Sequence, residues 1–185
     1  MKGIFLFILL LSFGLCWGNI AEFKREIVQI NIAEGKAEVT GKYWVKAIKA
    51  PARLKIFYPF PRDNYFYPDE ISVIYNDTQK LDMTVNRDSQ GVCFELILPD
   101  TNTVPFTVSY SQRLKGNEFR YILSTTKSWG KPLEIAEFII NVPISLKRQS
   151  ISYQPDNVEI NERTLRYLIK REKFWPEQDL IITWE

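Results

Sequence analysis

The sequence predicts an all-β domain in which two sheets of short strands pack on a shared core. Three observations point there. Almost every stretch after residue 19 alternates apolar and polar side chains with a period of two, broken by short turn-type clusters. The aromatic content is high, with 12 Phe, 9 Tyr and 5 Trp, many beside Val, Ile and Thr, a mixture that suits pleated, half-buried surfaces. Helical spacing occurs in one stretch only, residues 162–173, where Leu165, Leu168 and Ile169 fall three and four apart. The same stretch alternates, and it is read as a strand.

Taken in order, residues 26–32 open the pattern with Val28, Ile30 and Ile32 on one face. The cluster Ala33-Glu34-Gly35-Lys36 turns the chain into residues 37–47, where Val39, Tyr43 and Val45 oppose Glu38, Thr40, Lys42 and Lys46. The two runs form a hairpin solvated on one side. Residues 53–60 place Leu54, Ile56, Tyr58 and Phe60 in register, and residues 71–75, 81–85 and 92–98 follow, separated by turns at 76–78 and 87–91. Residues 106–114 and 119–125 flank the tight turn Lys115-Gly116-Asn117. The pattern continues at 135–142 (stopped by Pro143), 151–153, 164–170 and 180–184. Ten or so short strands at spacings of about 8–12 residues make an antiparallel, Ig-like two-sheet sandwich, with no repeat or linker to mark a boundary inside residues 19–185.

Residues 1–18 read as a cleavable signal peptide: Lys2, an apolar run from Ile4 to Trp17, and small residues before a cut preceding Asn19. The run is shorter than the roughly 20 residues that span a bilayer, which ranks an uncleaved membrane tether second. Lipidation at Cys16 is disfavoured by the bulky Leu15 before it. The expected product is secreted or periplasmic, with no stable membrane insertion. Cleavage leaves Cys93 as the only cysteine, so no internal disulfide can form. Cys93 alternates with Val92 and Phe94 and is expected to be a small buried apolar residue.

The chain has no histidine, which excludes Ser-His-Asp and Cys-His catalysis and His-ligated metal sites. Formal net charge is +2, too small a field to gather nucleic acid. No cofactor motif is present, and no cofactor is expected. The carboxylates Asp63, Asp69, Glu70, Glu134 and Glu137 show no spacing that fixes a facing pair, as a glycosidase would need.

Candidate binding residues are aromatic. Residues 57–68 hold six aromatics and three prolines, so the chain leaves the sheet after Phe60 as a stiff loop. Tyr65, Phe66 and Tyr67 either form an exposed platform for a sugar or a partner protein, or fold over the end of the sheets and seal the core. The general burial of aromatics favours the second. Trp44 falls on the polar face of its strand, beside Lys42 and Lys46, and is the fourth candidate. Trp129, in Ser128-Trp129-Gly130-Lys131-Pro132, is expected to anchor the turn into the strand that follows, and Trp184 to lie in the core.

Three stretches carry a resemblance: residues 54–61 (LKIFYPFP), 121–133 (YILSTTKSWGKPL) and 174–184 (FWPEQDLIITW). A tyrosine strand followed by Thr, Trp and a Pro-hydrophobic pair, with a closing aromatic-x-Pro and Asp-Leu strand, resembles a group of exported bacterial β-sandwich domains of unknown function. The resemblance implies a bacterial source and an envelope location, and brings no catalytic residues. The resulting expectation is a non-catalytic binding or scaffolding domain of the cell envelope whose partner is an envelope protein or polysaccharide. A carbohydrate-binding module using exposed aromatics is the alternative, and a carboxylate hydrolase the third reading.

Overall fold

The computed structural model describes residues 20–62, 65–88 and 90–185. The predicted signal peptide, Cys16 and Asp63 lie outside them. The described chain is nearly all strand: β1 (Ala21–Ala33), β2 (Lys36–Ala47), β3 (Ala52–Pro59), β4 (Asp69–Tyr75), β5 (Gln79–Lys80), β6 (Met83–Asn86), β7 (Gly91–Leu98), β8 (Thr103–Arg113), β9 (Glu118–Tyr121), β10 (Leu133–Pro143), β11 (Ser150–Ile151), β12 (Asn157–Ile160), β13 (Thr164–Phe174) and β14 (Leu180–Thr183). The expected hairpin is β1–β2, with Ala33 opposite Lys36 and Gly35 in the left-handed region that its turn requires. Residues 164–170 are indeed strand, inside β13.

The strands hydrogen-bond as three sheets. One has eight strands in the order β12-β13-β10-β1-β2-β8-β4-β5. The others are β11-β14-β9 and β3-β7-β6. Pairing is antiparallel except between β1 and β10, which run parallel from Arg25 opposite Ile135 to Asn31 opposite Asn141. This departs from the purely antiparallel expectation. After β8 the chain passes to the β14 sheet as β9, turns through a short 3-10 helix (Ser124–Trp129), and re-enters the large sheet beside β1 from the same end. The 3-10 helix replaces the second half of the strand predicted over 119–125.

Period-2 alternation sends Val28, Ile30, Tyr43, Val45, Val108, Phe138 and Ile140 of the large sheet into one buried cluster. Leu54, Leu96, Phe119 and Ile182 of the smaller sheets join it. Rings interlock between sheets: Phe94 of β7 lies 5.7 Å from Phe106 of β8, and Tyr58 of β3 lies 5.9 Å from Tyr43 of β2. The other face of the large sheet carries ion pairs and amide contacts, such as Arg25 with Glu137 at 2.9 Å and Asn141 with Asn31 at 2.7 Å.

Cys93 is exposed, against expectation. Val92, Phe94, Leu96 and Leu98 take the inward positions of β7, and Cys93 shares the outward set with Glu95 and Ile97. Trp184 is in the core, as expected. Among the described residues no helix is long and apolar enough to cross a membrane.

Candidate functional site

The site begins with a break in the alternation of β1. Phe23 pairs with Val45 and Arg25 with Trp44, so Lys24 is an extra residue, a β-bulge. Before the bulge Ala21 and Phe23 point inward. After it the inward set is Glu26, Val28, Ile30 and Ile32. The bulge thus re-phases the strand and sets a carboxyl in the apolar series, where Glu26 is 2% exposed. Its Oε1 has no hydrogen-bond partner.

Opposite Glu26 on β2 stands Tyr43. Its ring lies over Gly41, two residues earlier on the same face, where a Cβ would overlap the Tyr43 hydroxyl. Gly41 is therefore required by close approach. Phe106 stacks on the ring at 4.9 Å. The Tyr43 hydroxyl meets those of Tyr121 at 2.6 Å and Tyr58 at 2.8 Å, and Tyr58 reaches Tyr121 at 3.3 Å. One residue from each of the three sheets thus meets in a closed hydroxyl triad. The Glu26 Oε1 takes no part in this network.

The walls come from the end of β3 and from the segment after β9. Ile56, Phe57, Tyr58 and Pro59 form one side, and Tyr121, Ile122, Thr125, Thr126, Ser128 and Trp129 the other. The second wall is held by Asp179, whose Oδ1 accepts from the backbone N–H groups of Leu123 (3.0 Å) and Ser124 (3.1 Å). Gly130, at a φ of 73°, caps the 3-10 helix. Trp129 is buried with its ring 5.4 Å from Phe23, anchoring the segment as expected. Together these groups enclose a cavity of about 260 Å³ that runs from an exposed rim at Phe57, Thr125 and Ser128 to a buried floor at Glu26, Tyr43 and Phe106. The three stretches singled out above meet here: two supply the walls, and Asp179 of the third secures one of them.

Burial alone pushes the Glu26 carboxyl up to about 8, because the aromatic surroundings disfavour its charged form. Burial likewise pushes Tyr43, Tyr58 and Tyr121 well above the ordinary phenol range. Near neutral pH the unliganded cavity therefore holds a protonated acid among neutral phenols. Among the described residues no Lys or Arg lines it. The arrangement can accept or donate a hydrogen bond at one buried point and surround an apolar group with rings.

The four aromatic candidates lie elsewhere. Tyr65 is buried, its hydroxyl donating to the Glu118 carboxylate. Tyr67 is half-buried: it donates to the Gly91 carbonyl at 2.9 Å and packs edge-on against Phe60 at 5.5 Å. Phe66 is exposed between Arg113 and Lys115, each 4.9 Å from its ring. Of the three, Phe66 alone is exposed. Trp44 is half-buried on the outer face of the large sheet, with Arg25 at 5.1 Å and Lys42 at 5.5 Å from its ring. It sits opposite Pro105 of β8, whereas Phe66 contacts Gln112. Seven residues of strand separate those points, about 23 Å. Glu26 and Gly41 were missed in the sequence. The available signal was parity, since Glu26 falls on the same face as Val28, Ile30 and Ile32.

No protein-family model matches the chain, and no curated protein matches it in sequence. Solved structures share its fold. A candidate nutrient-binding protein of Legionella pneumophila aligns over 90% of this chain and 67% of its own, with a TM-score of 0.64 and 12% identity. An M1 zinc metallopeptidase of Deinococcus radiodurans aligns over 89% of this chain and 42% of its own, with a TM-score of 0.54 and 12% identity. A substrate-bound mutant of that peptidase aligns over the same shares with a TM-score of 0.56. At these identities the likeness is one of fold. The chain spans less than half the length of the peptidase.

Proposed function

We propose that the chain is an exported, non-catalytic binding domain of a bacterial cell envelope, built as a two-layer β-sandwich, and that its ligand is a small molecule held in the Glu26 cavity. The observation that carries this reading is a buried carboxyl with an unpartnered oxygen, on a residue that lines a cavity open at its rim. A buried polar atom left unpaired costs about 1–3 kcal/mol, a cost that a ligand able to pair with it would relieve. A few convergent polar groups inside an apolar, aromatic enclosure are the usual make-up of small-molecule sites. The signal-like residues 1–18, the resemblance carried by the three stretches and the fold shared with a candidate nutrient-binding protein support the location and the binding role. The loop rings of Tyr65 and Tyr67 are engaged within the fold, which moves the reading from that loop to the cavity.

A carboxylate hydrolase, the third reading above, gains one observation, a Glu26 carboxyl whose pKa burial raises as a general acid requires. It lacks support at the next step: Glu26 is the only carboxyl among the lining residues, and paired-carboxylate hydrolysis needs two. Peptidase chemistry is left to the Deinococcus protein. This chain has no histidine, and its described residues hold no group of three or more Cys, Asp or Glu side chains that could hold a metal.

The test compares thermal melts of wild type and Ser128→Trp across a small-molecule set at pH 7. Ser128 is exposed at the rim, so a tryptophan there narrows the mouth without entering the core. Compounds that raise the wild-type Tm are expected to lose that effect in the variant. Equal shifts in both proteins, or no shift from any compound, would reject the cavity. Mass spectrometry of the periplasmic product, expected to start at Asn19, tests export.

A further inference from the structure

We infer that the cavity takes a small ligand bearing a primary ammonium group on an apolar or aromatic frame, with the ammonium set against the Glu26 carboxylate. The inference rests on the small-molecule reading above and adds the ligand's chemical class.

Three features of the cavity favour a cation carrying donors. The first is the lack of any counter-ion for Glu26 once it is ionised. Buried carboxylates are ordinarily paired, and on the outer face of the same strand Arg25 pairs with Glu137 at 2.9 Å. Among the described residues lining the cavity around Glu26 there is no basic side chain. A ligand can supply the positive charge.

The second is the absence of a donor. Each tyrosine hydroxyl that approaches the floor is engaged within the Tyr43–Tyr58–Tyr121 triad, at 2.6 to 3.3 Å. The Oε1 of Glu26 is a buried acceptor without a partner, and an ammonium brings three donors to the carboxyl group. The third is the lining itself. Phe23, Tyr43, Tyr58 and Trp129 line the space, and an aromatic enclosure both buries an apolar frame and tolerates a cation. An anionic ligand would be repelled by the ionised Glu26 carboxylate. A neutral hydroxyl would satisfy the acceptor and gain nothing from the charge.

A proton accompanies the ligand. Glu26 faces Tyr43 from β2, Tyr58 from β3 and Tyr121 from β9, with Tyr110 of β8 behind them, and its neighbour in the register of β10 is the uncharged Ala136. All four phenols are pushed upward by burial and stay neutral near pH 7. Glu26 is the one group in this set that ammonium binding would ionise. Its carboxyl loses the proton to buffer, and the carboxylate pairs with the incoming ammonium.

Isothermal titration at pH 7 with phenethylamine and its neutral counterpart phenethyl alcohol tests this, run in buffers of different ionisation enthalpy. Phenethylamine is expected to bind about tenfold or more tighter than the alcohol. Release should approach one proton per ligand, because Glu26 is protonated in the free protein up to about pH 8. Glu26→Gln should abolish both the preference and the release while still binding the alcohol. The proton count comes from wild type alone, so it survives a variant that folds poorly. Equal binding of the two compounds without proton release overturns the ammonium assignment and leaves the cavity reading standing. Binding of neither overturns both. A preference that persists in Glu26→Gln places the amine elsewhere and overturns the assignment.

Discussion

Two neighbouring residues of β1 face opposite ways and live in opposite electrostatic worlds. Arg25 lies on the outer face of the large sheet, against the Glu137 carboxylate and the Trp44 ring. Other charges on that face are paired too: Glu22 with Lys24 and Lys131, and Lys42 with Asp77. Glu26 lies on the inner face among rings, with no cation among the described residues of the cavity lining. On the outer face, then, charge is met by opposite charge. The inner face departs from that practice at one position, on a strand re-phased by a bulge to put it there. A polar group kept against its own burial cost marks a site more strongly than any of the exposed aromatics do.

The largest effect expected to test this contrast is on the pH dependence of stability. Glu26 has its folded-state value raised from 4.5 to about 8. Between those values the folded protein holds a proton that the unfolded chain has released. The contribution is therefore fully present below pH 4.5 and is lost as pH rises to about 8, at up to about 1.4 kcal/mol per pH unit. Glu26→Gln should remove that slope and raise Tm most at pH 8 and above. Denaturant melts at pH 5, 6.5, 8 and 9 measure it. Parallel curves for the two proteins would show that Glu26 is solvated and the contrast false.

Next in size is Gly41→Ala. The added Cβ overlaps the Tyr43 hydroxyl and ring, which cannot swing aside while stacked on Phe106. A loss of about 1–3 kcal/mol is expected, as for overpacking generally. Retention of full stability together with an intact tyrosine triad in a crystal structure of the variant would contradict this. Asp179→Ala acts on the far wall by removing the acceptor for Leu123 and Ser124, at about 1.5–3 kcal/mol for bonds to a charged group. Amide exchange should quicken at residues 122–129 and stay slow in β10. Uniform quickening would mean that the wall is not held separately.

How much of this was written in the sequence depends on the range of the determinant. Alternation is local, and it placed Val28, Ile30, Tyr43, Phe138 and Ile140 inward and identified residues 164–170 as strand. Parallel pairing of β1 with β10 was illegible because a strand alternates the same way beside either kind of neighbour. The strand predicted to Thr125 stops at Tyr121, although Phe119, Tyr121 and Leu123 are all buried. Asp179, 56 residues away, takes the N–H groups of Leu123 and Ser124. Cys93 and Glu26 are different failures. Their parity was readable, and the general habits of cysteine and glutamate pointed the wrong way for each.

The smallest effect tests the other side of the comparison. Arg25→Gln removes the cation from a half-exposed ion pair and from the Trp44 ring. Exposed pairs of this kind are worth about 0–1 kcal/mol, since solvent screens them and the long side chain loses freedom in making them. The variant should melt within that margin of wild type and keep the full loss of stability between pH 5 and 8. Phenethylamine binding should be unchanged, because the lost charge lies across the sheet from the cavity. Run beside Glu26→Gln, it isolates the face. If removing the Arg25 charge flattened the pH profile as removing the Glu26 charge does, the two residues would share one electrostatic environment, and the sheet would not separate them.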